Sequence, residues 1–219
     1  MTETSDPSTA PDDPQNDPYA VRSPADLDAL YVKPAAMSLA KEADRLTPEY
    51  AAMLAAAPFC ALATSGPGGL DVSPRGDGPG FVTVLDAATL ALPDRRGNNR
   101  LDSLRNIAED PRVALLFLIP GVNETLRING AATITSDPAL CARLAVAGKA
   151  PVTVLRVAIQ TVYFQCARAL VRSALWDPAR HADRSALPSA GQMTRSAEPG
   201  FDAETYDAAL PARQAATLY

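Results

Sequence analysis

Two long β-prone runs, Thr125–Thr135 and Val152–Gln165, constrain the fold of this chain more than any other feature. The first run is rich in Thr and Ile, and the second is rich in Val and Thr and contains two aromatic residues; all of these favour strands. A strand as long as Val152–Gln165 twists too strongly to lie in a flat sheet, so we expect it to bend around a barrel. Asn129-Gly130 marks a bulge or bend in the first run. The sequence therefore predicts a strongly curved, mostly antiparallel sheet.

A third run, Val113–Ile119, is apolar at every position and ends at Pro120-Gly121. This pattern predicts a strand that is buried on both faces, as in a barrel wall with a covered exterior. Shorter apolar runs separated by Gly, Pro and Asp predict two further strand pairs. These pairs are Phe59–Ser65 with Leu70–Ser73, and Phe81–Leu85 with Thr89–Leu92.

Helix signals flank the strands. Ser23-Pro24 and Thr47-Pro48 each place a capping hydroxyl before a proline at the first helical position. The segment 177–200 is polar and is predicted to be irregular. Further helices are predicted over Leu101–Ala108, Asp137–Ala147, Arg168–Leu175 and Ala203–Leu218, the last of them broken by Pro211. Six or so strands with such helices indicate a closed β-barrel of mixed α+β character.

Charge is distributed unevenly along the chain. Of its 25 acidic residues, five lie in the first 18 positions, which contain no Lys or Arg. Removing them leaves 20 acidic against 20 basic residues, so the remaining body is formally neutral. A neutral body argues against nucleic-acid binding, which requires a net basic face. We expect residues 1–20 to form a disordered acidic, Pro-rich tail, and residues 21–219 to form a single domain.

No apolar run approaches the roughly 20 residues that span a bilayer, and the acidic N-terminus is unlike a secretory signal. The sequence therefore predicts a cytoplasmic protein that does not bind membranes. The three cysteines lack a CxxC spacing, which argues against a disulfide framework or a zinc site. His181 is the single histidine, so a serine-histidine triad or a histidine metal site is not expected. Any chemistry would then depend on a bound organic cofactor.

The stretch Pro93–Leu104 concentrates three arginines and two asparagines between a predicted strand and a predicted helix. Forked guanidinium groups, side-chain amides and the free amides of a helix start are donors that suit a phosphate. The same composition also fits a solvated basic loop. Because the rest of the body is neutral, the functional interpretation is a site for one small anion.

Three motifs in a fixed order resemble those of the pyridoxamine 5′-phosphate oxidase-like flavoproteins, the FMN-binding split barrels. The resemblance covers about residues 45–195 and points to a subfamily with the pattern Pro-Asp-Arg-x-Gly-Asn-Asn-Arg. The motifs are Pro93–Arg100, Glu124–Gly130 and Arg172–Trp176. The resemblance implies a six-stranded split β-barrel of Greek-key type with flanking helices. It also implies a homodimer that binds FMN at the subunit interface.

Carried onto this chain, the resemblance assigns cofactor-binding residues in three groups. Phosphate contacts would come from Arg75, Arg95, Asn99, Arg100 and Ser103, with Arg96 and Asn98 as substitutes if the alignment slips. Pro93 and Asp94 would lie along the flavin ring. The C-terminal residues Arg168, Arg172 and Trp176 would complete the site of the partner subunit.

The chain also departs from the oxidase pattern. The oxidases carry an Arg-x-Val-Leu-Leu-Lys strand, whereas Arg75 is followed here by Gly76–Gly80. Their lysine, and the histidine and arginine that bind their substrate, have no clear match. The resemblance therefore implies an FMN-dependent oxidoreductase that acts on an unassigned small molecule. The alternative is a non-catalytic protein that binds or senses a flavin or a deazaflavin.

Overall fold

The computed structural model describes residues 17–219, so positions 1–16 of the predicted tail lie outside the described residues. The chain divides into two compact units, with the boundary between Lys41 and Glu42. The first unit contains the short helices α1 (Pro24–Leu30) and α2 (Ala36–Ala40). Ser23 caps α1 as predicted. Its hydroxyl oxygen accepts a hydrogen bond from the Asp26 amide, and the Asp26 carboxylate accepts one from the Ser23 amide.

The second unit contains one antiparallel sheet of seven strands, one for each strand-like run found in the sequence and one more than the six-stranded barrel that the resemblance implies. Their order across the sheet is β2-β1-β5-β6-β7-β4-β3. β5, β6 and β7 are successive neighbours, and β4 lies beside β7, which is a Greek-key arrangement. The strands are β1 (Phe59–Gly66), β2 (Gly69–Gly76), β3 (Thr83–Asp86), β4 (Thr89–Pro93), β5 (Arg112–Leu118), β6 (Thr125–Thr135) and β7 (Val154–Gln165).

The predicted irregularity at Asn129-Gly130 is confirmed. The register between β6 and β7 shifts between these two residues, which bends the longest strand pair of the sheet. A Cβ atom at Gly130 would lie 2.2 Å from the carbonyl oxygen of Ala158. Glycine is therefore required at this point because the backbones of the two strands approach so closely.

Two elements at opposite ends of the sheet order meet in space. Arg75 on β2 donates to Asp94, which directly follows β4, at 2.8 Å. Arg95 donates to Asp77, just beyond β2, at 2.7 Å. A sheet whose first and sixth strands contact through side chains is curled, and the gap between them is the split of the barrel. The α+β split-barrel class predicted from the sequence is thus confirmed.

The core lies inside this curl, and it corrects one prediction. Alternate residues of β5, such as Leu115 and Phe117, are buried in the core. Leu116 points the other way and is 38% exposed. The expectation that Val113–Ile119 is buried on both faces is therefore wrong for the single chain, because no helix among the described residues covers the outer face of β5.

Six helices complete the second unit. They are α3 (Pro48–Ala56), α4 (Asp102–Glu109), α5 (Pro138–Arg143), α6 (Arg168–Ser173), α7 (Ala190–Ala197) and α8 (Ala203–Ala216). α5 is shorter than predicted, since a turn with positive φ at Ala147 and Gly148 follows it. Helix α7 was not predicted, although the Ser189–Gln192 capping box marks its start. The expected break at Pro211 does not occur, since α8 is continuous through this residue and lacks only the backbone donor that proline removes.

Candidate functional site

A cavity of about 600 Å³ lies where the two ends of the sheet meet. This volume is in the range of pockets that hold one small organic ligand. Its lining comes from the inward-facing side of β2, the loop between β4 and α4, the segment before β7, and the last residue of the sequence. The lining residues are Asp71, Ser73, Arg75, Asp94, Arg95, Arg96, Gly97, Asn98, Asn99, Arg100, Leu101, Asp102, Ser103, Leu104, Lys149, Ala150, Pro151, Val152 and Tyr219.

Arg75 faces the cavity from β2 and is only partly satisfied. Its Nη1 donates to Asp94 Oδ1 at 2.8 Å, and the two side chains are 20% and 18% exposed. Its Nε is buried and has no hydrogen-bond partner in the described part of the chain. An unpaired buried donor costs about 1–3 kcal/mol. Arg75 is therefore positioned to donate to an acceptor that enters the cavity.

Hydroxyl groups lie beside Arg75 on the same wall. Ser103, at the start of α4, is buried, and its Oγ donates to Asp71 Oδ2 at 2.8 Å. Ser73 Oγ lies 3.0 Å from Ser103 Oγ. Asp71, Ser73 and Arg75 share one face of β2 because alternate residues of a strand point to the same side. Because the Ser103 hydrogen is donated to Asp71, Ser73 donates to Ser103, and the guanidinium of Arg75 is the donor that this wall offers to a ligand.

The loop between β4 and α4 forms the opposite wall and has an unusual backbone. Asn99 and Leu101 have φ values of 58° and 61°, in the left-handed region. Such conformations cost non-glycine residues about 1–3 kcal/mol and are concentrated at ligand-binding loops. Asn98 Oδ1 accepts from the Arg100 amide at 3.1 Å, and Arg100 Nε donates to Asp102 at 2.7 Å. The Arg100 side chain is still 74% exposed, so it can turn toward a ligand.

Arg95 has a different environment from the other loop arginines. Its Nε donates to Asp77 at 2.7 Å and its Nη1 to the Leu144 carbonyl at 2.8 Å. Burial opposes ionisation of Asp77, yet hydrogen bonds from Tyr219, the Gly78 amide and Arg95 hold the pKa of Asp77 below its ordinary value. Arg95 thus anchors the loop between β4 and α4 to the segment after β2. Two nitrogen atoms of its guanidinium group already donate hydrogen bonds within the protein.

The structure brings together most of the predicted site residues. Six of them, Arg75, Asp94, Arg95, Asn99, Arg100 and Ser103, line this one cavity, as do the substitutes Arg96 and Asn98. Their role in cofactor binding stays a prediction. Four others are not among the lining residues. Pro93 is buried at the end of β4, Arg168 and Arg172 lie on α6, and Trp176 Nε1 donates to the Val122 carbonyl at 2.8 Å.

Among the lining residues outside Pro93–Leu104, sequence analysis missed four with polar side chains: Asp71, Ser73, Lys149 and Tyr219. The first two could have been found, because they precede Arg75 at intervals of two in a predicted hairpin. Lys149 and Tyr219 reach the cavity only through the tertiary fold, and no local pattern marks them.

A second surface feature is the outer face of β2, β1 and β5. Register pairs Val72 with Ala63 and Ala61 with Leu116, so these apolar side chains point to one side of the sheet. Val72 is 66% exposed and Leu116 is 38% exposed. On β6, the same face continues with Arg127, whose guanidinium lies 5.1 Å from the centroid of the Tyr163 ring. These exposed side chains give the outer face an apolar character.

Two negative observations apply to residues 17–219. No group of three or more His, Cys, Asp or Glu side chains is placed to hold a metal ion. No helix in that range has the length and apolar character needed to cross a membrane.

A family model described as pyridoxamine 5′-phosphate oxidase matches residues 46–166, which is more than half of the chain. No curated protein matches the chain. Among solved structures, HupZ of Group A Streptococcus is 14% identical, with a TM-score of 0.46, and the match covers 54% of this chain and 93% of HupZ. An F420 reductase is 20% identical, with a TM-score of 0.40 and coverage of 55% and 98%. An FMN-binding protein from Syntrophomonas wolfei is 10% identical, with a TM-score of 0.40 and coverage of 53% and 80%.

Proposed function

The chain belongs to the pyridoxamine 5′-phosphate oxidase family, and from this premise we propose that it is an FMN-binding oxidoreductase. The observation that supports FMN best is the buried, unpaired Nε of Arg75 in the lining wall. A phosphate oxygen is the acceptor that such a guanidinium favours. The family model extends over β2 and the loop before α4, so both walls of the cavity lie within the family's part of the chain.

The charge of the cavity supports an anionic ligand. Five lining side chains are cationic (Arg75, Arg95, Arg96, Arg100 and Lys149) and three are carboxylates (Asp71, Asp94 and Asp102). Counting Asp77 as well, since it pairs with Arg95, leaves an excess of one positive charge, which favours an anion such as a phosphate monoester. Asp71 accepts from Ser103, so it disfavours a phosphate beside the serines. Arg75, Arg96, Asn99 and Arg100 are the better partners for it.

A bound flavin would accept or donate a hydride for a small-molecule substrate. The chain's own residues would bind the phosphate, orient the ring and exclude water from it. No histidine lines the cavity among the described residues. The protein's part is therefore binding and orientation rather than acid–base chemistry, and we propose no catalytic side chain.

We further propose that the protein is a cytoplasmic homodimer that pairs through the outer face of β2, β1 and β5. The exposed Val72 and Leu116 support this assembly, because such apolar side chains are stabilised when a second copy covers them. In a dimer, Arg168, Arg172 and Trp176 would be available to the site of the partner. Nucleic acid and membranes are not expected partners.

The cofactor proposal is tested with purified protein. We expect a yellow preparation with flavin absorbance, and release of FMN, identified by mass, on denaturation. Arg75→Ala should weaken FMN binding roughly tenfold to a hundredfold, since a charge-assisted hydrogen bond contributes about 1.5–3 kcal/mol. Arg195→Ala is the matched control, because Arg195 pairs with Glu204 and does not line the cavity.

The same measurements separate the alternatives. Colourless protein that binds no FMN in a titration would overturn the proposal. Binding of a deazaflavin in preference to FMN would show that the cofactor is a deazaflavin. Tight FMN binding without reduction by any tested electron donor would favour the binding or sensing role over the oxidoreductase.

A further inference from the structure

Tyr219 lies in the cavity wall although it comes after the end of α8 at Ala216. Two contacts hold it there. Its phenol donates to Asp77 Oδ1 at 2.7 Å, and Lys149 Nζ donates to the Tyr219 backbone oxygen at 2.9 Å. These contacts come from segments that are far apart in the sequence, so both the ring and the backbone of Tyr219 have a defined position.

The phenol is attached to a buried ion pair rather than to a mobile surface group. The side chain of Asp77 is 6% exposed and that of its partner Arg95 is 16% exposed. The guanidinium of Arg95 lies 6.0 Å from the centroid of the Tyr219 ring. Breaking the Tyr219 contact would leave Asp77 with one fewer donor in a buried setting, which is unfavourable. The tyrosine is therefore held against the loop that contains the candidate phosphate donors.

On the basis of the proposed FMN binding, we propose that Tyr219, fixed by Asp77 and Lys149, is a specificity-determining residue that limits the cavity to flavins that end at their first phosphate. FMN ends at this phosphate, whereas FAD continues from it into a second phosphate and an adenosine. Tyr219 lines the same cavity as the phosphate loop and is held beside Arg95 of that loop, so we expect the part of FAD that continues beyond the first phosphate to meet it. The ring and the Lys149 tether thus discriminate between the two ligands by excluding volume.

A purely structural role for Tyr219 predicts a different behaviour. If the residue only stabilised the fold, its removal would lower the free energy of unfolding and weaken the binding of every ligand by the same factor. Exclusion of the longer ligand predicts a change in the ratio of the FAD affinity to the FMN affinity. This ratio does not depend on how much of the protein is folded, so it separates the two roles.

The test measures the dissociation constants of FMN and FAD by calorimetry for the full chain and three variants. In Tyr219→Ala we expect the ratio of the FAD constant to the FMN constant to fall about tenfold or more. Lys149→Met keeps the ring and removes one tether, and it should produce a smaller fall. Tyr31→Ala, at an exposed tyrosine of the first unit, should leave the ratio unchanged. Thermal unfolding of each ligand-free variant is recorded in parallel.

The outcomes are distinguishable. A wild-type protein that binds no FMN overturns the proposed function and, with it, the exclusion by Tyr219. A wild-type protein that binds FMN, with the same ratio in Tyr219→Ala and Lys149→Met, overturns only the exclusion. If Tyr219→Ala does not fold, the test uses Tyr219→Phe and Lys149→Met, since each removes one of the contacts that hold the ring in place. An unchanged ratio of the FAD to the FMN dissociation constant in both variants overturns the proposal. A lower ratio in either variant supports it.

Discussion

Arg75 and Asp94 form an ion pair of 2.8 Å between strands that stand first and sixth in the order of the sheet. No backbone ladder joins β2 to β4, so this side-chain contact is one of those that bring the two ends together. The same arginine lines the cavity, and its buried Nε has no hydrogen-bond partner among the described residues. One residue thus links the closure of the barrel to the candidate phosphate site.

Neutralising Asp94 should separate these two roles. In Asp94→Asn we expect the free energy of unfolding to fall by about 1.5–3 kcal/mol, the contribution of a charge-assisted hydrogen bond in a partly buried setting. FMN affinity should stay the same or rise, because the cavity loses a negative charge while Arg75 remains. Chemical denaturation and FMN titration measure the two effects. A loss of FMN affinity as large as that of Arg75→Ala would show that Asp94 itself binds the ligand.

The sequence predicts the strands and the phosphate loop because their signals are local. Gly66 to Gly69 form a turn, and the alternation of Asp71, Ser73 and Arg75 places them on one face of a strand. The tertiary partners of these residues cannot be predicted in this way. Tyr219 reaches Asp77 across most of the chain, and nothing in either local sequence encodes the contact.

Burial on the outer face could not be predicted either. The continuous apolar pattern of Val113–Ile119 is the same whether a helix of the same chain or a second copy covers the strand. In the single chain Leu116 is exposed. The pattern therefore predicts that this face is apolar, but it does not predict whether a helix of the same chain or a second copy covers it.

Acid should weaken the contacts around Asp77. Its folded-state pKa lies below the ordinary value of 3.8 because hydrogen bonds from Tyr219, Gly78 and Arg95 outweigh the effect of burial. A depressed carboxyl pKa contributes stability that is fully present above the ordinary value and is lost as the pH falls through the lower folded-state value. We therefore expect Asp77→Asn to be less stable than the wild type near pH 6, with a difference that shrinks below about pH 4. Thermal unfolding across this range tests it, and a difference that is constant with pH would contradict it.

The three cysteines should differ in reactivity. Cys60 and Cys141 are buried and Cys166 is exposed. Burial raises the pKa of Cys60 to about 12, although the charge of Arg75 opposes the shift. Since thiolates are the reactive form, the native protein should react with a thiol reagent at Cys166 alone, and Cys166→Ser should abolish the fast reaction. Rapid labelling of two thiols in the native protein would contradict the burial of Cys60 and Cys141.

The close approach of β6 and β7 at Gly130 should make that glycine hard to replace. Gly130→Ala would place a Cβ 2.2 Å from the Ala158 carbonyl oxygen, so the strands must separate. We expect a loss of about 1–3 kcal/mol or more in the free energy of unfolding, as for overpacked cores. Gly68→Ala is the matched control, because a Cβ there would meet nothing within 4 Å. Equal stability of the two variants, measured in denaturant, would show that the bulge can relax.

The outer sheet face should control the oligomeric state. Leu116→Glu places a carboxylate in the centre of the exposed apolar face without changing the core, since Leu116 points away from Leu115 and Phe117. A stable dimer buries about 800 Å² per subunit, and an unpaired charge inside such an interface is strongly unfavourable. Sedimentation should therefore show a dimer for the wild type and a monomer for the variant. Met193→Glu, at an exposed apolar residue of α7, should remain dimeric. If Leu116→Glu is also dimeric, the subunits pair through another surface, and the apolar pattern of β5 then needs a different partner to cover it.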